Sequence, residues 1–591
     1  MNAGVRNAAV RIVSPLALLL LVLFVISPVL TLAQDDAVTL DRDDPSLVTY
    51  YTHDGDVGVG RDPQLAGSTI TVRWVDNTFL GLTDLSPETA DVRPELATDW
   101  SVSEDGLTWT FNLRDDVPWV SWNPETQEAR VMRMVNAEDV VTGTRRACDV
   151  RLGGSYGPVT ASFIAGCGEV VNSAEPTQEM FEAVGVRAVD DDTVEFTLVS
   201  PTGFFPAVAS LWTLRPVPGE LIDEFGQQWI DVGNAWYTGP FLTDSYTEGV
   251  GRSLIRNPFM PEDLRGPGNI DRVELIVIND TSTLLSLYLN GQVDMIRSGN
   301  IPEGEIGTLL ADTELEDELL FLTGVSIDYL SFNHGKPPFD DVHVRRAFSA
   351  AIDRTQLIND AVNGLGSPMI HITPPSMPGA PPIDEVGVGY NPEWAREQLA
   401  LSPYPDCEGF PEVFSVSQPG RRSRYVEFLV QQWATVLGCD PALFSNEVIE
   451  DFSNMIPIIS INNDMDQRPH WHPIGWGPDY PDSNNWVGDI LKCDIDNAFT
   501  SRPCSEVDDL IQAAREETDP ATRTEMYAQI EDMLFGEDGV FPAAPIRLAA
   551  SYALYQTYLD GPIETDGQVG GEHWDWYTID AEAQAAVRAG A

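Results

Sequence analysis

Segments with strand periodicity alternate with segments of helical periodicity along most of this chain, and that alternation limits the folds open to it. In one segment the apolar residues Leu107, Trp109, Phe111 and Leu113 alternate with polar residues, which predicts a strand. A helix is predicted after Asn136, whose side chain suits the N-cap position. The 591 residues are about four times a typical domain length, so the pattern predicts a multi-lobed α/β protein.

The same alternation continues through the rest of the chain. A hairpin is predicted over residues 186–199, with its turn at the three aspartates 190–192. An apolar run at 273–278, a helix over 281–290 and a short strand at 293–296 predict a β-α-β unit in a parallel sheet. Further helices are predicted to start after Asp341, Asp353, Ser505 and Asp519.

The charge balance excludes one class of partner. The chain carries 92 Asp and Glu against 34 Lys and Arg, a formal net charge of -58, and its only lysines are Lys336 and Lys492. So negative a surface repels phosphate backbones, and no nucleic-acid partner is expected. A phosphate-binding loop is absent as well, because Pro337 follows the only Gly-Lys pair. No cofactor is predicted.

The N-terminal segment predicts export. Arg6 and Arg11 precede an apolar stretch that runs from Pro15 to Ala33, and acidic residues follow. This order is typical of a secretory signal over residues 1–33. The alternative is an uncleaved anchor, since the stretch approaches the roughly 20 residues that span a bilayer. The predicted location is periplasmic or at the extracellular cell surface, with a membrane tether if the segment is retained.

Six cysteines, an even number, agree with export and predict disulfides. Fifteen pairings are available, and sequential pairing is favoured because it closes short loops. A zinc site is not predicted, since no Cys-x-x-Cys pair occurs and no histidine is suitably spaced. The predicted pairs are Cys148–Cys167, Cys407–Cys439 and Cys493–Cys504.

Two motifs with catalytic or metal-binding potential are weak. Ser155 is the centre of a Gly-x-Ser-x-Gly sequence, but a polar segment precedes it and Pro158 follows, whereas a nucleophile elbow needs a strand and a helix. His470 and His472 could hold a metal ion, but no third ligand is evident. No enzyme and no metal site are therefore predicted, and an extracellular hydrolase using Ser155 is kept as an alternative.

A series of motifs occurs in a fixed order between about residue 70 and residue 545. They occupy residues 94–111, 136–141, 237–241, 329–333, 336–342, 344–345, 351–354, 390–395 and 476–482. Each is weak alone, but together they resemble the family-5 extracellular solute-binding proteins, the oligopeptide- and dipeptide-binding components of ABC importers.

The resemblance implies the α/β fold of type II periplasmic-binding proteins, with two hinged lobes and an extra subdomain in the N-terminal half. Lobe I would comprise residues 36–90, 205–330 and 546–591. The inserted subdomain would be residues 91–204, and lobe II residues 331–545. A monomer is expected.

The resemblance also implies that peptides are captured between the lobes and delivered to an ABC permease, without catalysis. Asp479 stands where the family binds the ligand's α-ammonium, whereas Pro473 stands where some oligopeptide binders carry an arginine. The other expected ligand-binding residues are Trp476, Tyr480, Tyr329, Asn333, Trp236 and Tyr237. Trp471, Trp476 and Trp486 also suit sugar rings, so an oligosaccharide is an alternative ligand, and a metal chelate carried on the same fold is another.

Overall fold

The computed structural model describes residues 37–54, 58–89, 91–297, 300–302, 305–313, 315–382, 385–450, 452–493, 499–563 and 572–590. The predicted signal or anchor segment, residues 1–33, lies outside the described residues. Within the described ranges, no helix is both long enough and apolar enough to cross a membrane.

Twenty-three strands occur in the described residues. They are β1 Ala37–Thr39, β2 Thr49–Asp54, β3 Thr83–Leu85, β4 Val92–Pro94, β5 Ala97–Val102, β6 Thr108–Leu113, β7 Pro118–Asn123, β8 Glu128–Met134, β9 Val186–Asp190, β10 Thr193–Thr197, β11 Trp236–Tyr237, β12 Phe241–Thr247, β13 Gly251–Arg256, β14 Arg272–Val277, β15 Met295–Arg297, β16 Leu319–Phe332, β17 Ser367–Pro368, β18 Val413–Ser417, β19 Phe444–Val448, β20 Trp471–Trp476, β21 Ala543–Tyr555, β22 Leu559–Asp560 and β23 Thr578–Ile579.

Eighteen α-helices accompany them in the same ranges. They are α1 Thr69–Thr78, α2 Ala137–Ala147, α3 Gly157–Ala161, α4 Cys167–Val171, α5 Gln178–Glu182, α6 Phe205–Val208, α7 Gly219–Phe225, α8 Thr281–Leu289, α9 Ile306–Ala311, α10 Val342–Ala350, α11 Arg354–Val362, α12 Pro392–Leu401, α13 Arg421–Leu437, α14 Phe452–Ile459, α15 Asn484–Val487, α16 Glu506–Glu516, α17 Pro520–Phe535 and α18 Ala581–Gly590.

The predicted helix starts are confirmed, and the caps explain them. The Asn136 side chain accepts a bond from the Asp139 amide, and the Asp139 carboxylate accepts one from the Asn136 amide. This reciprocal pair satisfies two N–H groups that a helix start otherwise leaves unbonded. The side chains of Asp341, Asp353 and Asp519 cap three of the other predicted starts, and at Ser505 the Asp508 carboxylate accepts a bond from the Ser505 amide at 2.8 Å.

The N-terminal core is the cluster of buried apolar residues between Ala66 and Leu264, together with Tyr480. Two antiparallel four-stranded sheets, in the orders β1-β8-β7-β11 and β5-β6-β10-β9, frame it. The predicted hairpin is confirmed as β9 and β10. Tyr480 is separated from the rest of this cluster by more than 200 residues of sequence, so its membership reflects a tertiary contact.

The central core consists of two adjoining clusters, built from residues between Tyr50 and Leu309 and from the C-terminal segment between Leu554 and Ile579. A third four-stranded sheet, β12-β13-β14-β2, supports it. β2 joins this sheet parallel to β14, with Tyr50 opposite Val273. The chain therefore leaves the central core and returns to it near its end.

The predicted β-α-β unit is only partly correct. Helix α8 does connect β14 to β15, but β14 pairs with β13 and β2, whereas β15 pairs antiparallel with β21. The Asp294 amide donates to the Tyr51 carbonyl at 2.7 Å, which places the start of β15 beside β2. The parallel partner of β14 comes from a distant part of the sequence, and local periodicity carries no information about it.

The C-terminal core comprises two apolar clusters on the two faces of a seven-stranded sheet. The strand order is β15-β21-β16-β20-β18-β19, with β17 paired to β21. Because β18 runs parallel to both β19 and β20, the carboxyl ends of these three strands lie at one edge of the sheet. The loops that follow them, including the one after Trp476, meet at that edge.

Two long antiparallel strands run through both the central and the C-terminal core. β16 and β21 pair from Leu319 opposite Leu554 to Ser331 opposite Ala543. The N-terminal part of β16 and the C-terminal part of β21 pack in the central core, and their opposite ends pack in the C-terminal core. The register shifts between Thr323 and Ile327, where the ladder passes from one core to the other.

The predicted disulfides are confirmed, and the pairs are the sequential ones. The Cα–Cα distances are 5.4 Å for Cys148–Cys167, 5.1 Å for Cys407–Cys439 and 5.0 Å for Cys493–Cys504. The first lies in the N-terminal core and the second in the C-terminal core, and the third joins residues on the N-terminal side of α16.

A buried ion-pair network fastens the C-terminal segment to the central core. Glu572 Oε1 lies 3.0 Å from Arg73 Nε and 2.5 Å from Arg297 Nε, and the Trp574 indole donates to Glu572 Oε2 at 3.1 Å. Burial favours the neutral acid, but the charges of Arg297 and Arg73 outweigh it and lower the pKa of Glu572.

Replacing Glu572 by Ala should lower the free energy of unfolding by about 3 kcal/mol, because two largely buried guanidinium groups lose their shared carboxylate. Since the folded pKa is depressed, the stabilisation is present above the ordinary pKa of glutamate and is lost as pH falls through the folded value. Urea denaturation at pH 7 measures the loss. Glu525→Ala, on the exposed face of α17, is the control, and equal midpoints for the two variants would contradict the prediction.

Candidate functional site

The loop after β20 lies at the sheet edge where the carboxyl ends of β18, β19 and β20 meet. In open α/β sheets this edge is where ligands bind, since loops and helix starts converge there. Trp476, the last residue of β20, and Asp479 and Tyr480 in the loop are three of the predicted ligand-binding residues. The structure therefore brings these three together.

Asp479 is a largely enclosed carboxylate without a cationic partner. Its Oδ1 accepts a hydrogen bond from the Tyr156 hydroxyl at 3.4 Å, and its backbone amide donates to Asn485 Oδ1 at 3.1 Å. Burial, followed by the negative charge of Asp489, raises the pKa of Asp479 to about 6. No arginine or lysine of the described chain pairs with it. Such a group is suited to binding a cation from outside.

Asn485 braces this loop from behind. Its Oδ1 also accepts a hydrogen bond from the Trp476 indole at 2.9 Å, and its Nδ2 donates to Asp489 Oδ2 at 3.1 Å. The Tyr480 hydroxyl donates to the same Asp489 oxygen at 2.6 Å. The Asn485 side chain and the Asp489 carboxylate thus fix the relative positions of Trp476, Asp479 and Tyr480.

The Tyr480 ring packs into the N-terminal core. It stacks on Phe204 with a centroid distance of 5.2 Å and meets Phe163 edge to face at 5.3 Å. Tyr480 is therefore buried, and its contribution is to hold the loop against the N-terminal core. A direct contact between its ring and a ligand remains a prediction.

A second contact joins the N-terminal core to the C-terminal half of the chain. The Gly203 amide donates to the Arg515 carbonyl at 2.9 Å, and the Arg515 guanidinium donates to the Ser162 carbonyl at 3.1 Å. The guanidinium also lies over the Phe163 ring, 5.5 Å from its centroid. A Cβ on Gly203 would collide with the Glu517 carbonyl. We call this set the 203–515 contact.

Two arginines near Trp476 share one carboxylate and a third lies beside them, and we call this cluster of three the basic corner. Asp328 accepts hydrogen bonds from Arg421 at 3.3 Å and from Arg547 at 2.8 Å. Arg422 Nη2 lies 2.9 Å from the position of a Cβ on Gly475, the residue opposite Asp328 in the ladder. Helix α13 begins here without a side-chain cap, so its positive end adds to the corner. The corner suits an anionic group.

The structure places the remaining predicted residues away from this loop or in the core. Tyr329 is fully buried in the C-terminal core, and Tyr237 is buried against Phe79. Trp236 is half-buried on β11, with the Arg133 guanidinium 6.0 Å from its ring centroid. The contribution of these three residues to ligand binding stays a prediction.

Asn333 lies at the far end of β16. Ile327 pairs with Trp476, so Asn333 is six residues further along the strand, roughly 20 Å from the loop. Its Nδ2 donates to the Pro469 carbonyl at 3.0 Å, and its Oδ1 accepts from the Gly335 amide at 3.1 Å. These bonds describe a turn residue with a satisfied side chain.

The two weak motifs have structural explanations. Ser155 lies in an exposed bend after the 3-10 helix Val150–Leu152, so no strand precedes it as a nucleophile elbow requires. His472 is buried, which lowers its pKa to about 3, and His470 Nδ1 accepts a bond from the Phe414 amide. In the described residues, the cluster whose ligand atoms lie close enough to hold a metal ion is Asp508 with Cys493 and Cys504. The two cysteine sulfurs form a disulfide with each other, so they are not free thiolate ligands.

Sequence reasoning missed Tyr156, Asn485, Asp489 and the basic corner. Tyr156 lies inside the Gly-x-Ser-x-Gly sequence, a pattern that indicates a function for its serine and not for the neighbouring tyrosine. Asn485 and Asp489 follow Asp479 closely, but paired acids and amides are frequent in so acidic a chain. The Arg421-Arg422 pair, directly after Gly420 and before an apolar helix pattern, was the one available signal for the corner.

Comparison with known proteins gives a consistent result. The family model described as bacterial extracellular solute-binding proteins, family 5, middle region, matches residues 91–497. The probable deoxycholate-binding periplasmic protein YgiS of Escherichia coli is 26% identical over 523 residues, covering 88% of this chain and 91% of its own. The oligopeptide-binding protein OppA of Bacillus subtilis is 24% identical over 517 residues, covering 85% and 87% respectively.

A solved structure confirms the expected fold class. The periplasmic murein tripeptide-binding protein MppA, in its unliganded open form, has a TM-score of 0.75 at 20% identity, covering 92% of this chain and 99% of its own. At this identity the likeness concerns the fold, the mixed α/β architecture of periplasmic binding proteins.

Replacing Gly203 by Ala should separate the two segments of the 203–515 contact, because the new methyl group would overlap the Glu517 carbonyl. We expect faster amide hydrogen exchange at residues 203–204 and 515–518, by about tenfold, since the bond between Gly203 and Arg515 is lost. Mass spectrometry of exchanged peptides measures this. Gly168→Ala, which places its methyl group in open space on α4, is the matched control. Equal exchange in both variants would refute the prediction.

Proposed function

The chain belongs to the family-5 bacterial extracellular solute-binding proteins, and on that premise we propose that it captures peptides at the Asp479 site and delivers them to an ABC transporter permease. Members of this family are substrate-binding proteins and not enzymes. The observation that carries the proposal is Asp479 itself, an enclosed carboxylate at the ligand edge of the sheet without a cationic partner in the described chain.

The α-ammonium of a peptide is the cation that this site fits best. Moving an ammonium group out of water is costly unless a negative group and hydrogen-bond acceptors receive it. Asp479 supplies the charge, and the brace formed by Asn485 keeps it in position before a ligand arrives. A site ordered in advance loses little conformational entropy on binding.

The basic corner supports a ligand that also carries a negative group. Gly475, beside Arg422, precedes Asp479 by only four residues. The Trp476 indole and the Asp479 amide both donate to Asn485 Oδ1, which keeps these residues close together. A positive and a negative group can therefore be held within one short ligand. A peptide with a free amino terminus and a free carboxylate has this charge pattern.

The lobes are proposed as the resemblance implied them. Lobe I would consist of residues 36–90, 205–330 and 546–591, with the subdomain 91–204 inserted, and lobe II of residues 331–545. The return of the C-terminal segment to the central core supports this division. We propose that the lobes rotate at the register shift of the β16–β21 ladder, and that a ligand touching both sides favours the closed arrangement.

The protein is proposed to act outside the cytoplasm as a monomer. Periplasmic relatives support the compartment, and a secretory signal over residues 1–33 would direct the export. The partner would be the membrane permease of an ABC importer, which receives the closed, loaded form.

The alternative ligand, an oligosaccharide, loses part of its basis. Of the three tryptophans that suggested sugar stacking, Trp471 and Trp486 are fully buried, and Trp476 is the partly exposed one. Relatives named for deoxycholate and heme binding show that the fold serves ligands without an α-ammonium. Such a ligand would leave Asp479 unpaired, which disfavours it here.

Replacing Asp479 by Ala should weaken the binding of short peptides with a free amino terminus at least tenfold, or about 1.4 kcal/mol, because the ammonium loses its counter-charge. Native mass spectrometry first identifies any ligand that co-purifies with the protein. Isothermal titration calorimetry with trialanine then measures the change in affinity. N-acetyl-trialanine is the matched control and should bind both proteins equally weakly. If Asp479→Ala bound trialanine as tightly as the unmodified protein does, Asp479 would not be the residue that binds the ammonium.

Affinity for trialanine should fall as pH falls through about 6, because protonation of Asp479 removes the charge that binds the ammonium. Above about pH 8 it should fall again, since the peptide's α-amine loses its proton. Calorimetry between pH 4.5 and 9 tests the expected maximum near pH 7, on the pKa values just given. An affinity that stays constant below pH 7, on the acid limb of the profile, would show that Asp479 is not the titrating group.

A further inference from the structure

A second buried carboxylate lies behind Asp479. Asp489 follows α15, and its Oδ2 accepts hydrogen bonds from the Tyr480 hydroxyl at 2.6 Å and the Asn485 amide at 3.1 Å. Neither donor carries a charge. No lysine or arginine of the described chain forms an ion pair with Asp489.

The carboxylate decides which way the Asn485 amide points. An ionised carboxylate only accepts hydrogen bonds, so the NH₂ of Asn485 must face Asp489. The amide oxygen is then turned toward the Trp476 indole and the Asp479 backbone, both of which donate to it. Without Asp489, the amide could rotate and present NH₂ to two donors.

Asp489 also anchors Tyr480, the residue that ties this loop to the N-terminal core. The Tyr480 hydroxyl donates to Asp489 and accepts a bond from Asn484 Nδ2 at 2.8 Å. With its hydroxyl held in this way, the ring stacks on Phe204 and meets Phe163. Asp489 is therefore bonded to two of the groups that position the Asp479 loop.

The titratable and charged groups around the two carboxylates leave a net negative site. Tyr156 faces Asp479 from the N-terminal core, and Asp482 and Arg515 face Asp489. Asp482 is paired with Arg523 at 2.7 Å. The Arg515 guanidinium is directed to the Ser162 carbonyl and the Phe163 ring, so it only partly offsets the charge of Asp489.

We propose that Asp489 is the positioning residue of the ammonium site: it orients Asn485, anchors Tyr480 and adds a second negative charge behind Asp479. This inference rests on the proposed function, because it takes Asp479 to be the group that receives the ligand's ammonium. Asp489 would touch no ligand, and yet it would set both the geometry and the electrostatic potential of the site.

The test is Asp489→Asn, which keeps the shape and removes the charge. Trialanine affinity at pH 8 should fall at least fivefold, since the amide brace and one negative charge are lost. At the same time the acid limb of the binding profile should move to lower pH by about half a unit or more, because a negative neighbour no longer raises the pKa of Asp479. A purely structural disturbance would lower the affinity without moving the limb downward.

A second readout does not need a ligand. The Trp476 indole N–H shares an acceptor with the Asp479 amide, so its NMR resonance, assigned with Trp476→Phe, should titrate near pH 6. Asp489→Asn should move this midpoint down, and Asp479→Ala should abolish it. Asp509→Asn, which removes an exposed charge from α16, is the control for general electrostatics.

The outcomes separate the two proposals. If the wild-type protein ignores trialanine but the Trp476 midpoint shifts in Asp489→Asn, peptide capture fails and the positioning role stands. An unmoved midpoint in folded Asp489→Asn overturns the positioning role whatever the protein binds. Should Asp489→Asn not fold, Tyr480→Phe removes one hydrogen bond to Asp489 and keeps the ring, and we expect about threefold weaker trialanine binding. Unchanged affinity in that variant would overturn the anchoring of Tyr480.

Discussion

The pairing of β16 with β21 is the interaction on which the rest of the molecule is arranged. These two strands carry β15 and β17 on one side and β20, β18 and β19 on the other, and they extend into the central core. β16 also pairs with β20 and places Trp476, the last residue of β20, opposite Ile327. The Asp479 loop leaves β20 at that point, so the position of the site follows from a backbone ladder far longer than the site.

Two enclosed carboxylates of this protein, Glu572 and Asp479, have opposite environments. Glu572 is enclosed with two arginines, and its pKa is lowered; Asp479 is enclosed without a cation, and its pKa is raised. The first arrangement pairs the charge within the fold, and the second leaves a carboxylate whose burial costs stability as long as no cation is bound to it. Strongly perturbed acids that lack a partner are typical of functional sites. Asp489 extends the pattern, since burial raises its pKa too.

Features encoded by neighbouring residues could be predicted from the sequence, and features that join distant segments could not. The cap of Asn136 on α2 and the hairpin of β9 and β10 need only a few adjacent residues, and both predictions are confirmed. The partner of β14 comes from β2, more than 200 residues earlier, so the predicted β-α-β unit put β15 in the wrong sheet.

The site follows the same division. Trp476, Asp479 and Tyr480 are adjacent in sequence and occur within one motif, so their grouping could be expected. Tyr156 approaches Asp479 from 323 residues away, and no pattern near either residue announces the contact. Tyr329 is predicted to bind the ligand because it lies in a motif, but it is fully buried in the C-terminal core. Whether an aromatic residue of a motif is buried depends on how the whole sheet packs, which the motif does not encode.

The covalent cross-links are confined in a way that matters for how the molecule can move. All six cysteines are paired, and every pair closes a loop of 11, 19 or 32 residues, none of which contains a strand of the β16–β21 ladder. The three disulfides therefore cross-link short local segments and leave the β16–β21 ladder, which joins the central and C-terminal cores, without a covalent cross-link. If the lobes rotate at this ladder as proposed, the disulfides stabilise the individual loops without restraining that rotation.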